Sequence, residues 1–146
     1  MEEQTRKKLE ERFGADVSNF VIPRPRRMFV DVPREKLVDV ARFVRQDLGI
    51  THLSTITGLD AGEKMEMLYH FSTPGLCLTL RVRLPVDDPK VPTITGVYLN
   101  AESYERETMD LLGTKVEGLP PGRRYPLPDD WPVGDHPLRK TWKKAA

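Results

Sequence analysis

The chain has 146 residues, a formal net charge of +1 and 38% hydrophobic residues, which suffices for one domain and is too little for two domains of ordinary size. A single cysteine excludes an internal disulfide and any metal or cluster site built from several thiolates of this chain. Acidic and basic residues are balanced and well mixed, which argues against nucleic-acid binding, because that function needs a clustered basic surface.

No stretch approaches the roughly 18 apolar residues of a transmembrane helix. The first residues, MEEQTRKK, lack the apolar segment of a secretory signal. We therefore expect a cytosolic protein that reaches a membrane only through partner subunits. Charged residues make up 31% of the chain and Asn and Gln are few, a composition typical of thermophile proteins.

The first elements in chain order are a helix and a hairpin. Residues 2–13 predict a short charged helix that turns Leu9 and Phe13 inward and ends at Gly14. Residues 19–22 and 28–32 predict two strands joined by a turn at 24–26.

The clearest amphipathic helix follows Pro33, a residue suited to a first helical turn because its missing N–H costs nothing there. Apolar residues then recur at helical spacing until Gly49, and they are Leu37, Ala41, Val44 and Leu48. This stripe implies that the helix covers a sheet.

That sheet is predicted next, with strands over 52–59, 64–71 and 76–84 and a turn-rich crossing over 85–92. Apolar and polar residues alternate in the last two strands, so one face is covered and the other meets water or a partner. Cys77 lies on the polar face. The sequence thus predicts an α+β fold, an antiparallel sheet with amphipathic helices on one face, followed by an extended proline-rich C-terminal tail.

The stretch from Tyr104 to Lys140 begins as a helix, with Tyr104, Thr108, Leu111 and Leu112 along one side, and Gly113 ends it. Frequent proline and glycine then prevent a long helix or a central strand. The tail still contains large apolar residues, among them Trp131 and Trp142, which a flexible linker would lack. We predict a domain over 1–113 and a partner-binding tail over 114–146 that either wraps its own domain or crosses to a neighbouring subunit.

Three carboxylates, Glu105, Glu107 and Asp110, fall within two helical turns. A carboxylate di-metal site needs a Glu-x-x-His spacing, which is missing here. From the residues alone, a solvated or salt-bridged helix face is favoured over an interface, and an interface over a metal or catalytic site.

Other polar residues leave further alternatives open. His136 is interpreted as a turn residue before Pro137 rather than a proton relay. Arg123, Arg124, Arg139 and Lys140 suit an RNA- or nucleotide-binding module with Tyr125 and Trp131 for stacking, but interleaved acids favour a protein partner. A hydrolase is the least favoured function, because no nucleophile and base are recognisable.

Several ordered blocks resemble the C (connecting-module, NuoC-like) subunit of respiratory complex I and the matching subunits of energy-converting membrane-bound [NiFe] hydrogenases. These blocks are Glu105-Arg106-Glu107, Asp110, Gly113, Glu117-Gly118, Arg123-Arg124, Leu127-Pro128-Asp129-Asp130-Trp131 and His136-Pro137-Leu138-Arg139-Lys140, with weaker similarity over 32–37. Leu119-Pro120-Pro121-Gly122 replaces a His-Pro block of complex I, and Ser103 replaces an aromatic residue, so the sequence here resembles the hydrogenase and ferredoxin-linked branch more. The electron donor and acceptor stay open.

The resemblance implies a non-catalytic peripheral-arm subunit on the cytoplasmic side of the membrane, without a cofactor of its own. Iron–sulfur clusters, and in hydrogenases a [NiFe] centre, would belong to partner subunits. The implied partners are the large catalytic (NuoD-like) and small Fe–S (NuoB-like) subunits, held together during electron transfer coupled to ion translocation. The implied interface residues are Glu105, Arg106, Glu107, Asp110, Arg123, Arg124, Asp129, Asp130, Trp131, His136, Pro137, Leu138, Arg139 and Lys140.

Overall fold

The computed structural model describes residues 1–122 and 125–144, and its largest feature is a five-stranded sheet. In chain order the strands are β1 (Ser18–Arg24), β2 (Arg27–Asp31), β3 (His52–Asp60), β4 (Lys64–Thr73) and β5 (Leu76–Pro85). Across the sheet the order is β1-β2-β5-β4-β3. The predicted hairpin and the three later strands are confirmed.

The sheet is mixed, so the prediction of a wholly antiparallel sheet is wrong in one pairing. β2 runs parallel to β5, with Val30 opposite Leu80, whereas the other neighbours are antiparallel. The amphipathic helix between β2 and β3 is part of a connection long enough to bring the chain back beside β2 in a parallel direction.

Three helices pack on one face of this sheet, and they are α1 (Glu2–Phe13), α2 (Leu37–Gln46) and α3 (Ala101–Leu112). The apolar sides of α1 and α2 share the core with the inward residues of β4 and β5, as the alternation predicts. A short 3-10 turn over Arg34–Lys36 precedes α2, so Pro33 lies before that turn rather than inside the α-helix. The α-helix ends at Gln46, three residues before Gly49.

α3 lies against β3 at Gly58. A Cβ atom there would be 2.6 Å from Leu112 Cδ1 and 3.1 Å from Thr108 Cγ2, so glycine permits the close approach. Because Gly58 is opposite Met67 of the buried face, α3 covers the same side of the sheet as α1 and α2.

A second, two-stranded sheet joins the segment before α3 to the segment after it. β6 (Lys90–Pro92) lies within the predicted crossing and pairs in parallel with β7 (Lys115–Glu117) at the start of the tail. Thr93 N–H extends this pairing by donating to Glu117 O at 2.8 Å. The tail is therefore attached to the domain by main-chain hydrogen bonds.

Candidate partner interface

α3 ends at Gly113, whose left-handed conformation (φ 76°, ψ 23°) lets its N–H donate to Met109 O at 3.0 Å. The predicted helix end is confirmed, and glycine adopts this conformation without the penalty that a Cβ atom brings. The buried stripe differs from the prediction: Ala101, Glu105, Thr108 and Leu112 face the core, together with Asp110.

Glu105 has no exposed surface. Its carboxylate accepts hydrogen bonds from Thr93 Oγ1 at 2.7 Å and from Ile94 N–H at 3.0 Å. Burial raises the pKa of Glu105 to about 7, and the two hydrogen bonds oppose that rise because they favour the charged form. The interpretation of Glu105 as part of a solvated helix face is wrong, since its carboxylate joins α3 to the segment that also binds β7.

Tyr69 is the second buried polar group in this region. Its hydroxyl has no hydrogen-bond partner among the residues that the structure describes. Burial, followed by the charge of Glu105, raises the pKa of this hydroxyl well above its usual value. Tyr69 therefore stays neutral and offers no charge to balance a carboxylate at Glu105.

The outward side of α3 is charged. Arg106 donates from Nη2 to Glu102 at 2.9 Å and to Pro120 O at 2.5 Å, which ties the helix to the tail. Glu107 is half-buried and forms no hydrogen bond or ion pair within residues 1–122 and 125–144. Asp110 is buried and accepts Leu127 N–H at 2.8 Å, so the solvated-face interpretation is wrong for it as well.

The described part of the tail returns to the end of α3. Nδ1 of His136 hydrogen-bonds to Asp110 O at 2.9 Å, and Leu138 N–H donates to Leu111 O at 2.9 Å. Arg139 Nε donates to Leu112 O. Carbonyl groups left unpaired at the helix C-terminus thus receive donors from the predicted His136–Lys140 block.

The same block reaches the turn between β3 and β4. Lys140 N–H donates to Asp60 Oδ2 at 2.9 Å, and Gly62 N–H donates to the other carboxylate oxygen at the same distance. These two backbone donors lower the pKa of Asp60. The tail therefore closes over one end of the sheet as well as over α3.

Both tryptophans of the tail are only partly buried in the chain. Trp131 Nε1 donates to Asp135 O at 2.7 Å, and Trp142 Nε1 donates to Asp135 Oδ1 at 2.6 Å. Their polar edges are satisfied internally while part of each ring stays accessible.

Large apolar side chains are exposed on this side of the molecule. The exposed fractions are 87% for Leu99, 93% for Val133, 54% for Leu138 and 51% for Tyr125. Tyr125 and Leu99 line one groove with the first turn of α3, and Val133 lines an adjacent cleft of about 250 Å³ with Met109. Apolar groups exposed together in this way mark a binding surface.

The remaining predicted interface residues divide by exposure. Asp129, Asp130 and Lys140 are exposed, and Pro137 and Arg139 are half-buried. Arg123 and Arg124 lie outside the described residues. The sequence interpretation missed Leu99, whose signal was a large apolar residue directly before the helix cap Asn100.

The described residues contain no group of three or more His, Cys, Asp and Glu side chains that could hold a metal ion. None of the helices in that part of the chain combines the length and the apolar character that crossing a bilayer requires. Cys77 is a free, half-buried thiol on the polar face of the sheet, 3.9 Å from Arg27 Nη1.

Residues 30–146 match the family model of the respiratory-chain NADH dehydrogenase 30 kDa subunit. The chain belongs to this family. The matched range starts within β2 and includes α3 and the whole tail, so both parts of the candidate interface are family features rather than additions of this chain.

Three relatives show how widely this 30 kDa subunit family is distributed. The chain is 32% identical to the C-type subunit of the F(420)H(2) dehydrogenase of Methanosarcina mazei, over 90% of its length and 85% of the relative. It is 33% identical to the beta subunit of the membrane-bound hydrogenase of Pyrococcus furiosus, over 80% and 70%. It is 35% identical to the C-type subunit of the NADH-quinone oxidoreductase of Moorella thermoacetica, over 92% and 86%.

A solved structure shares the fold of this family member. A chain of the membrane-bound sulfane sulfur reductase, an archaeal respiratory membrane complex, superimposes with a TM-score of 0.84 at 26% identity. The match covers 97% of this chain and 85% of that chain, so it extends over the tail.

Proposed function

We propose that the chain is the NuoC-like subunit of a complex I-like or energy-converting [NiFe]-hydrogenase-like membrane oxidoreductase. Its family membership supports this, as do relatives that are subunits of a quinone-linked dehydrogenase, an F(420)H(2) dehydrogenase and a hydrogenase. The similar chain from a sulfur reductase complex extends the same argument. The subunit is peripheral, on the cytoplasmic side, and is held at the membrane by its partners.

Its role is structural. The domain over 1–113 is a platform, and the tail over 114–146 together with α3 contacts the large catalytic (NuoD-like) subunit, next to the small Fe–S (NuoB-like) subunit. Iron–sulfur clusters and any [NiFe] centre belong to those partners. The chain scaffolds the large subunit during electron transfer coupled to ion translocation and has no active site of its own.

One observation carries this assignment: the tail uses backbone hydrogen bonds to attach to α3 and leaves Val133, Leu138 and Tyr125 exposed. Full burial of one such side chain contributes roughly 1.5–3 kcal/mol, so this surface is costly to leave in water and favourable to cover. Tryptophans are enriched at interface hot spots, and Trp131 lies within the same segment.

Exposed charges around this apolar surface set the register of the partner. Glu107, Asp129 and Asp130 offer carboxylates, and Lys140 offers a cation. Complementary charges on the partner would exclude other orientations. Arg123 and Arg124 are assigned to the interface from the family motif alone.

Co-purification with the large subunit tests the proposal. The double variant Val133→Asp with Leu138→Asp places charge on the apolar surface, and we expect recovery of the large subunit to fall at least about tenfold, since each change forfeits roughly 1.5 kcal/mol or more of burial. Val21→Asp is the matched control, because Val21 is 47% exposed on β1, far from α3 in the sheet order. Equal recovery of the large subunit with the double variant and with wild type would refute the assignment.

An RNA- or nucleotide-binding module is the alternative function. It depends on Arg123 and Arg124, which lie outside the described residues, and no geometry among the described residues favours it. Salt-dependent RNA binding that Arg123→Ala and Arg124→Ala weaken would support it.

A further inference from the structure

The sheet has a second face that none of the helices in the described chain covers. Strand alternation places Arg27, Phe29, Leu68, His70, Arg81 and Arg83 on this outer face, opposite the core face that α1, α2 and α3 cover. Phe29 and Leu68 are half-buried and belong neither to the core nor to the partly buried residues packed against it.

Arginine guanidinium groups flank the ring of Phe29 on this outer face. Arg27 lies 5.4 Å and Arg81 5.8 Å from the ring centroid. A guanidinium group stacked on an aromatic ring keeps its planar fork of donors directed outward and ready for a carboxylate. The ring and the two guanidinium groups therefore form one preorganised patch in the middle of the face.

Cations are in excess at this patch. Asp31 accepts Arg83 Nη1 and pairs with Arg81 Nε at 3.1 Å, without the alignment of a hydrogen bond. In contrast, Arg24, Arg26 and Arg27 form no ion pair with any residue of the described chain. Positive charge without a partner thus extends from the centre of the face to the tip of the β1–β2 hairpin.

We propose that the outer face docks an acidic segment of another subunit of the complex, whose carboxylates pair with Arg27 and Arg81 on either side of Phe29. Arginine and aromatic side chains are the groups enriched at protein interfaces. The inference rests on the chain being a subunit of a larger assembly, and it does not depend on the tail.

Charge also distinguishes this occupant from others. A second copy packed face to face about a two-fold axis would bring these arginines against one another. Anionic lipid headgroups would meet Asp31 and Glu66, whose carboxylates lie on the same face and repel phosphate. An acidic peptide segment satisfies the unpaired arginines while its apolar residues cover Phe29 and Leu68.

Photo-cross-linking in the membrane-bound complex tests the proposal. The full chain carries p-benzoylphenylalanine in place of Phe29 and is illuminated within isolated membranes. We expect a cross-link to a segment of another subunit that contains Asp or Glu residues. Adding Arg27→Glu should lower the cross-link yield at least about fivefold, because like charges then face each other. Arg27→Gln, which removes the charge without reversing it, should lower the yield less.

Arg42→Glu is the control, since Arg42 is exposed on α2 and pairs only with Asp39 at 3.6 Å among the described residues. This variant should leave the yield unchanged. A cross-link to lipid, to a second copy of the chain or to a segment without acidic residues would overturn the proposal, as would no cross-link. A separate chain with p-benzoylphenylalanine at Leu138 reports on the tail, so failure of the outer-face proposal is distinguishable from failure of the proposed function.

Discussion

Replacing Glu105 with glutamine should change how the stability of the isolated protein depends on pH. The side chain is fully buried and its pKa is raised by burial from 4.5 to about 7. Between these two values the folded chain holds a proton that the unfolded chain has released. The free energy of unfolding therefore decreases as pH rises through this window.

The size of the effect follows from the shift. A rise of this size corresponds to about 2–3 kcal/mol of stability lost between pH 5 and pH 8.5. Glutamine is neutral at every pH, and its carbonyl oxygen still accepts Ile94 N–H while its amide group donates to Thr93 Oγ1. We expect Glu105→Gln to equal wild type near pH 5 and to exceed it by about 2–3 kcal/mol at pH 8.5.

Urea unfolding at several pH values, followed by tryptophan fluorescence, measures this difference. Contributions from other titrating groups, such as His70, are common to both proteins and cancel in the comparison. Glu107→Gln is the matched control, because Glu107 is a glutamate on the same helix that is not buried in the core, and it should follow the wild-type profile. Parallel profiles for wild type and Glu105→Gln, or a less stable variant at pH 8.5, would refute the reasoning.

Two glycine substitutions test the packing of α3 by thermal unfolding. Gly113→Ala should lower stability by about 1–2 kcal/mol, because alanine disfavours the left-handed conformation and its Cβ would lie 2.5 Å from the His136 ring. Gly49→Ala shares the positive φ but meets no atom within 4 Å, so a smaller loss there isolates the steric part, and equal losses would deny a His136 contact. Gly58→Ala should cost about 1–3 kcal/mol through the clash with Leu112, and an unchanged melting temperature would contradict the close approach of α3 and β3.

The sequence predicted the parts of the fold that local patterns determine. Strict alternation identified the buried faces of β4 and β5, and helical spacing identified α2. Alternation does not determine which edge accepts the β1–β2 hairpin, so the parallel pairing of β2 with β5 was missed. That choice depends on packing between segments distant in the chain.

Glu105 shows why the candidate interface was harder to predict. Ala101, Glu105, Thr108 and Leu112 share one stripe at helical spacing, and this was the available signal that Glu105 faces the core. Charge favoured the opposite interpretation. Its hydrogen-bond donors come from Thr93 and Ile94, and only the tertiary structure brings them to the carboxylate.

Protease protection tests the central claim most directly, which is that the segment beyond Gly113 is covered by the large subunit. Trypsin cleavage after Arg139, Lys140 and Lys143 is measured on the isolated chain and on the chain bound to the large subunit. We expect ready cleavage of the isolated chain and strong protection in the complex, because Leu138 and its neighbours are exposed only before assembly. Equal cleavage rates in the two states would contradict the claim.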